Sequence, residues 1–128
     1  MKIIGYLSLG YPTIKETFDT AKVYVENGVD VLEIDFPAKN PFLDSAFIQD
    51  RMLKALAECS DYDKYMAAIT EIQKRYPQQE IFILAYEQTI EEIGVEKFAK
   101  FMESHKLTEL IYVGGNNLKI KEKLKAHG

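Results

Sequence analysis

The sequence contains no tryptophan, one cysteine and two histidines among its 128 residues. Cys59 has no second cysteine to pair with, so an intrachain disulfide is excluded, which fits a reducing compartment and leads us to expect a cytoplasmic protein. Cys59 falls at a helix end with no base nearby and reads as a bystander. His105 and His127 stand at the ends of expected helices, in no spacing that gathers metal ligands, so neither a metal nor a cofactor is expected. No apolar run approaches the roughly 18 residues that cross a membrane. The opening MKIIGYLSLGYP has no small-residue cleavage site and runs into Gly10 and Pro12, so it reads as a strand and not as a signal peptide. Positive charge is not in excess: 16 Lys and Arg stand against 20 Asp and Glu, a net charge of -4. Such a chain has no bulk electrostatic reason to bind nucleic acid or an anionic membrane surface. Linkers and low-complexity segments are missing as well.

Hydrophobic residues make up 47% and charged residues 28% of the chain, an ordinary globular balance. The length suits one domain, residues 1–128, with a core of its own. Short apolar runs alternate with amphipathic ones. KIIGYLSL (2–9), DVLEID (30–35), EIFILAY (80–86) and ELIYV (109–113) read as strands. The first helix opens at Pro12 and Thr13, where Thr13 and Glu16 have capping-box spacing; Ile14, Phe18, Ala21 and Val25 form its apolar stripe, and Gly28 stops it. Further helices are expected over 46–58, 60–76 and 95–105, with Thr89 and Glu92 as another capping pair. After Gly114 and Gly115 a basic helix, NLKIKEKLKAH, is expected. Its lysines 119, 121, 123 and 125 read as a solvated face, and GGNN reads as a βα turn with Asn caps.

Four β-then-α units argue for a parallel sheet with right-handed crossovers. The strands are nearly continuous apolar runs, as strands covered on both faces should be. Two architectures satisfy this pattern: a small doubly wound sheet with helices on both faces, or half of a (β/α)8 barrel with helices on one. A full barrel takes roughly 250 residues. The pattern alone leaves both open.

The most informative stretch is EIDFPAKNPFLD, residues 33–44. Chemistry in parallel α/β folds sits at the carboxyl ends of strands, and this loop puts three carboxylates there. Strand alternation places Val31, Glu33 and Asp35 on one face. Burial and like charge would both raise the pKa of one of the paired acids and fit it for general acid or base work. A capping acid with solvated neighbours would look the same. Lys39 is near enough in sequence to serve as a partner.

The stretch YLSLGYPTIKETFDTAKVYVENGVDVLEIDFPAKNPFLDSAFIQ resembles the first two units of the tryptophan synthase alpha chain family. That family carries a T-x-G-(D/Y)-P turn and an E-L-G-(V/I)-P-F-S-D-P-L-A-D-G-P-x-I-Q run. Glu33, Pro37, Pro41, Leu43, Asp44, Ile48 and Gln49 fall in register with the second motif without gaps. FILAYEQTIEEIGVEKF is similar to the family's third strand and the helix after it. The resemblance implies a (β/α)8 barrel of which this chain supplies the amino-terminal half, about four parallel βα units. It implies cleavage of indole-3-glycerol phosphate to indole and glyceraldehyde 3-phosphate. Glu33 would be the general acid/base, and Asp44 the carboxylate that steadies the indole nitrogen as it gains positive charge. Tyr6 and Tyr86 would line the substrate pocket. The tryptophan synthase beta chain becomes a possible partner.

Departures from the family's pattern bear on that function. Asp35 replaces a glycine, Lys39 and Asn40 replace Ser-Asp, Ser45 and Ala46 replace Gly-Pro, and Gly114 falls where an aspartate is usual. The phosphate site of this fold comes from loops after strands seven and eight, which lie beyond the matched half. A half-barrel would also expose its inner face, read as Ile4, Tyr6, Ser8, Val31, Phe82, Leu84, Tyr86, Leu110 and Tyr112, and two sheet edges. A homo-oligomer that covers them is therefore expected. Weak or absent activity of the chain alone, or a non-catalytic binding or regulatory role, follows from the same argument.

Overall fold

The four apolar runs form four parallel strands, β1 (Ile4–Ser8), β2 (Val31–Asp35), β3 (Glu80–Tyr86) and β4 (Leu110–Val113), paired in chain order. The computed structural model describes residues 2–114 and residue 124. Gly115 and the basic helix expected after it, Leu124 excepted, lie outside the described residues.

Between the strands run α1 (Ile14–Glu26), α2 (Ala46–Glu58), α3 (Tyr62–Arg75), α4 (Glu87–Ile93) and α5 (Val95–Ser104). Local signals set the starts of the first three. The side chains of Thr13, Ser45 and Asp61 accept hydrogen bonds from Glu16, Ile48 and Asp63 respectively, which satisfies otherwise orphaned amides of the first turn. The Thr89–Glu92 capping pair does not act as one. Helix α4 already starts at Glu87, directly off β3, and Thr89 is buried inside it. Gly94, at φ 105, then separates α4 from α5.

The order of the strands chooses between the two architectures. A doubly wound sheet reverses its strand order to put helices on both faces, whereas here the order is sequential and one face holds the helices. Leu7, Leu32, Ile34, Ile81, Ile83 and Ala85 point to that side and pack against Ala21, Tyr65, Ile69, Ile72, Phe98 and Phe101. The result is the half-barrel arrangement. Helix α2 differs from the others. Its Met52 packs with Ala38 and Tyr86, and Val113 packs against that group, so α2 lies at the carboxyl ends of the strands.

The opposite face is the inner one. Register places Tyr6 beside Glu33 and Glu33 beside Phe82, and likewise Ser8, Asp35 and Leu84 in a row. For β4 the expectation is corrected: Leu110 pairs with Ile83 and Tyr112 with Ala85. Those two therefore face the helices, and Ile111 and Val113 take the inner side. A shift of one residue moves every side chain to the other face. The two edge strands keep apolar inner residues open, with Ile4 53% and Ile111 36% exposed.

Candidate active site

Strand β2 carries Glu33 and Asp35 to the carboxyl end of the sheet on its inner face. The two acids have different surroundings. Asp35 is 1% exposed; its Oδ2 accepts a hydrogen bond from the Tyr6 hydroxyl at 2.5 Å and its Oδ1 accepts one from the Leu9 amide at 3.0 Å. Burial pushes its pKa up to about 7, with Asp44 and Glu33 adding to the rise while the bonds from Tyr6 and Leu9 oppose it. Burial also pushes up the Tyr6 phenol, as does the charge of Asp35. Lys39, considered as a partner for these acids, reaches Glu92 instead, at 3.1 Å.

Glu33 is half-buried between Tyr6 and Phe82 in the register. Its pKa is raised, first by burial and then by the negative charge of Asp44. A glutamate so placed holds its proton to higher pH than a solvated one and can return it to a substrate.

Asp44 reaches the site through a loop that is tied down at several points. The Phe36 amide donates to the Leu84 carbonyl at 3.0 Å, and the Tyr62 hydroxyl donates to the Pro37 carbonyl at 2.8 Å. At the far end, the Tyr86 hydroxyl donates to Asp44 Oδ2 at 2.6 Å and accepts from the Leu43 amide at 3.2 Å. Burial and the bond to Asp44 push the Tyr86 phenol up. Tyr86, at the end of β3, thus fixes the orientation of the Asp44 carboxylate. Gln49 donates to the Asp44 carbonyl at 2.9 Å and holds the loop to the first turn of α2.

All four residues expected at the site, Tyr6, Glu33, Asp44 and Tyr86, come to the same end of the sheet. Their geometry divides them into two hydrogen-bonded pairs, Tyr6 with Asp35 and Tyr86 with Asp44. Glu33 lies close enough to both acids for their charges to act on one another. Sequence reasoning missed Arg51. Its Nη1 donates to Ser8 Oγ at 3.3 Å, and its guanidinium lies over the rings of Phe47 and Tyr11, at 4.2 and 5.2 Å from their centroids. Nothing in the spacing along the chain links Arg51 to Ser8; the contact exists because α2 crosses the strand ends. An open depression of about 280 Å³ adjoins the site beyond Tyr86, lined by Phe42, Glu87, Gln88, Glu91 and Gly114. Among the described residues no group of three or more His, Cys, Asp or Glu side chains is placed to hold a metal ion.

Comparison with known proteins agrees with this fold and strand order. Residues 1–123 match the family model described as tryptophan synthase alpha chain. The tryptophan synthase alpha chain of Leifsonia xyli is 35% identical over 97 residues, covering 76% of this chain and 37% of that protein. That of Caldicellulosiruptor saccharolyticus is 40% identical over the same coverage. A solved structure from Aquifex aeolicus superposes with a TM-score of 0.89 at 25% identity, covering 98% of this chain and 51% of that one. Tryptophan synthase from Mycobacterium tuberculosis gives 0.84 at 22% identity, covering 98% and 49%, a likeness of fold. The present chain thus spans about half the length of these solved relatives. A match that takes in nearly the whole chain, together with a half-barrel of the same winding, places it plainly: the chain belongs to the tryptophan synthase alpha chain family.

Proposed function

We propose that this chain is a tryptophan-synthase-alpha-like half-barrel that keeps the two carboxylates of indole-3-glycerol phosphate cleavage, and that by itself it turns this substrate over slowly or not at all. The observation that carries the reading is the convergence of Glu33 and Asp44 at the carboxyl ends of the strands, with Asp44 held by Tyr86. In a retro-aldol-type C–C cleavage, Glu33 would move the proton. Asp44 would meet the positive charge that grows at the indole nitrogen, a task that a pre-oriented carboxylate performs without reorganisation. Tyr6 and Tyr86 would line the pocket. Slow turnover by these 128 residues alone is expected because the fold's distal phosphate loops are not among them, so the binding energy that positions the reacting carbon is not supplied. Isolated protein is expected to turn over indole-3-glycerol phosphate far below about 1 per second, a common enzyme rate, and Glu33→Gln should abolish any turnover that is measured. An ordinary rate in the isolated chain would refute the half-site reading.

A second reading, a non-catalytic binding or regulatory module derived from the lyase, is favoured by one contact. The Tyr6 hydroxyl is engaged by Asp35, the residue that departs from the family's glycine. Membership of a family of biosynthetic enzymes supports a cytoplasmic location as part of this proposal. Among the described residues no helix is long and apolar enough to cross a membrane.

The partner we favour is a second copy. Strands β1 and β4 each have one neighbour among the described strands, and Ile4 and Ile111 are exposed on the inner face at those edges. A two-fold axis that sets β1 against the β4 of the other copy would close eight strands and cover that face. The tryptophan synthase beta chain is the alternative partner. Light scattering of the purified protein should give twice the chain mass; a monomer at micromolar concentration would rule out the second copy.

A further inference from the structure

Arg51 is a cation held in place at the mouth of the site. Its neighbours in charge are spoken for: Lys39 pairs with Glu92 and Lys54 with Asp50. Arg51 forms no ion pair among the described residues. The guanidinium lies over two aromatic rings, Phe47 and Tyr11, and Ser8 takes one of its donors. Ser8 is the register partner of Asp35, so the group is anchored one strand from the acids and at the same end of the sheet. Its Nε is withdrawn from solvent and has no acceptor. A buried donor without a partner is costly, while the terminal Nη end of a guanidinium can grip an oxyanion with two parallel N–H bonds. Aromatic stacking fixes the plane of that fork in advance.

We propose that Arg51 is the anion-recognition point of this mouth. It takes the phosphate or carboxylate group of a small ligand whose hydroxyl or N–H groups turn toward Glu33 and Asp44. The proposal rests on the reading of the mouth as a ligand site, and it is independent of whether that ligand is cleaved. The charges fit such a ligand: three carboxylates would repel a free anion, and Arg51 offers the compensating charge at one edge while the acids accept hydrogen bonds.

The chain has two arginines, Arg51 and Arg75, which makes the test direct. Arg75 Nε already donates to Glu71 at 3.2 Å and serves as the internal reference. In nitrogen-15 spectra of the protein, inorganic phosphate and acetate are titrated separately at constant ionic strength. The Nε–H signal of Arg51 should shift saturably with at least one of them, while that of Arg75 stays in place; the anion that binds more tightly identifies phosphate or carboxylate as the ligand group. Arg51→Lys keeps the charge but loses the fork, and should weaken the binding seen by calorimetry about tenfold. Absence of a shift, parallel unsaturable shifts of both arginines, or undiminished binding in Arg51→Lys would overturn the proposal. Saturable anion binding that persists in Glu33→Gln would uphold the role of Arg51 even if an ordinary turnover rate refuted the half-site reading.

Discussion

Gly10→Ala is expected to destabilise the fold by about 2–5 kcal/mol, the sum of a left-handed backbone penalty and an overpacked core. Gly10 has φ +82, and a Cβ built there would stand 2.3 Å from Cε1 of Tyr65. That ring cannot simply retreat. Tyr65 is fully buried, and its hydroxyl lies 2.9 Å from the Ala55 carbonyl and 2.5 Å from that of Cys59, at the end of α2. Relief must come from the turn itself, whose amides are in use: Gly10 N–H donates to Thr17 Oγ1 at 2.8 Å, and Leu9 N–H donates to Asp35. Gly28→Ala is the matched control. Gly28 has φ +77 with nothing within 4 Å of the added carbon, so it should lose only the backbone share, about 1 kcal/mol. Denaturant unfolding of the two variants compares them. Equal losses would show that Tyr65 does not hold the turn.

Asp35→Asn is expected to stabilise the protein by about 1–3 kcal/mol at pH 8, with the gain shrinking to nothing as the pH falls toward 4. Asp35 titrates at about 7 in the folded chain against an ordinary 3.8. The folded state therefore holds the proton more tightly than the unfolded one. The cost of the buried charge is absent below the ordinary value, grows between 3.8 and about 7, and is complete above that. An amide bears no charge at any of these pH values, and its oxygen can still accept from Leu9. Burial dominates this cost, ahead of repulsion by Asp44 and Glu33. Thermal melts across the pH range check it. An Asn variant less stable than the parent at pH 8 would mean that Tyr6 and Leu9 hold Asp35 as a working anion, which strengthens the binding-module reading.

The sequence made the sheet legible because its strands are apolar runs with punctuation. EIFILAY coincides with β3 residue for residue, and Glu33 and Asp44 were visible because a motif with two prolines frames them. The inner face of β4 was not legible: ELIYV is apolar at every position but its first, so it has no alternation to reveal parity, and only pairing with Ile83 assigned it. Thr89 misled for a similar reason. Its spacing to Glu92 is a valid cap, but the chain enters α4 straight from Tyr86 and buries Thr89 within it. The partners of the acids were out of reach as well. Tyr6–Asp35 and Tyr86–Asp44 bridge 29 and 42 residues, and Lys39, chosen by nearness in sequence, is drawn to Glu92 of α4.

The proposed site depends most on Glu33 being a proton-holding acid under the influence of Asp44. Carbon-13 detection of the Glu33 carboxyl across a pH titration measures this directly. Its midpoint should lie above that of an ordinary glutamate and should move down in Asp44→Asn, as the neighbouring charge is removed. A midpoint at or below the ordinary glutamate value, unmoved by Asp44→Asn, would contradict the site.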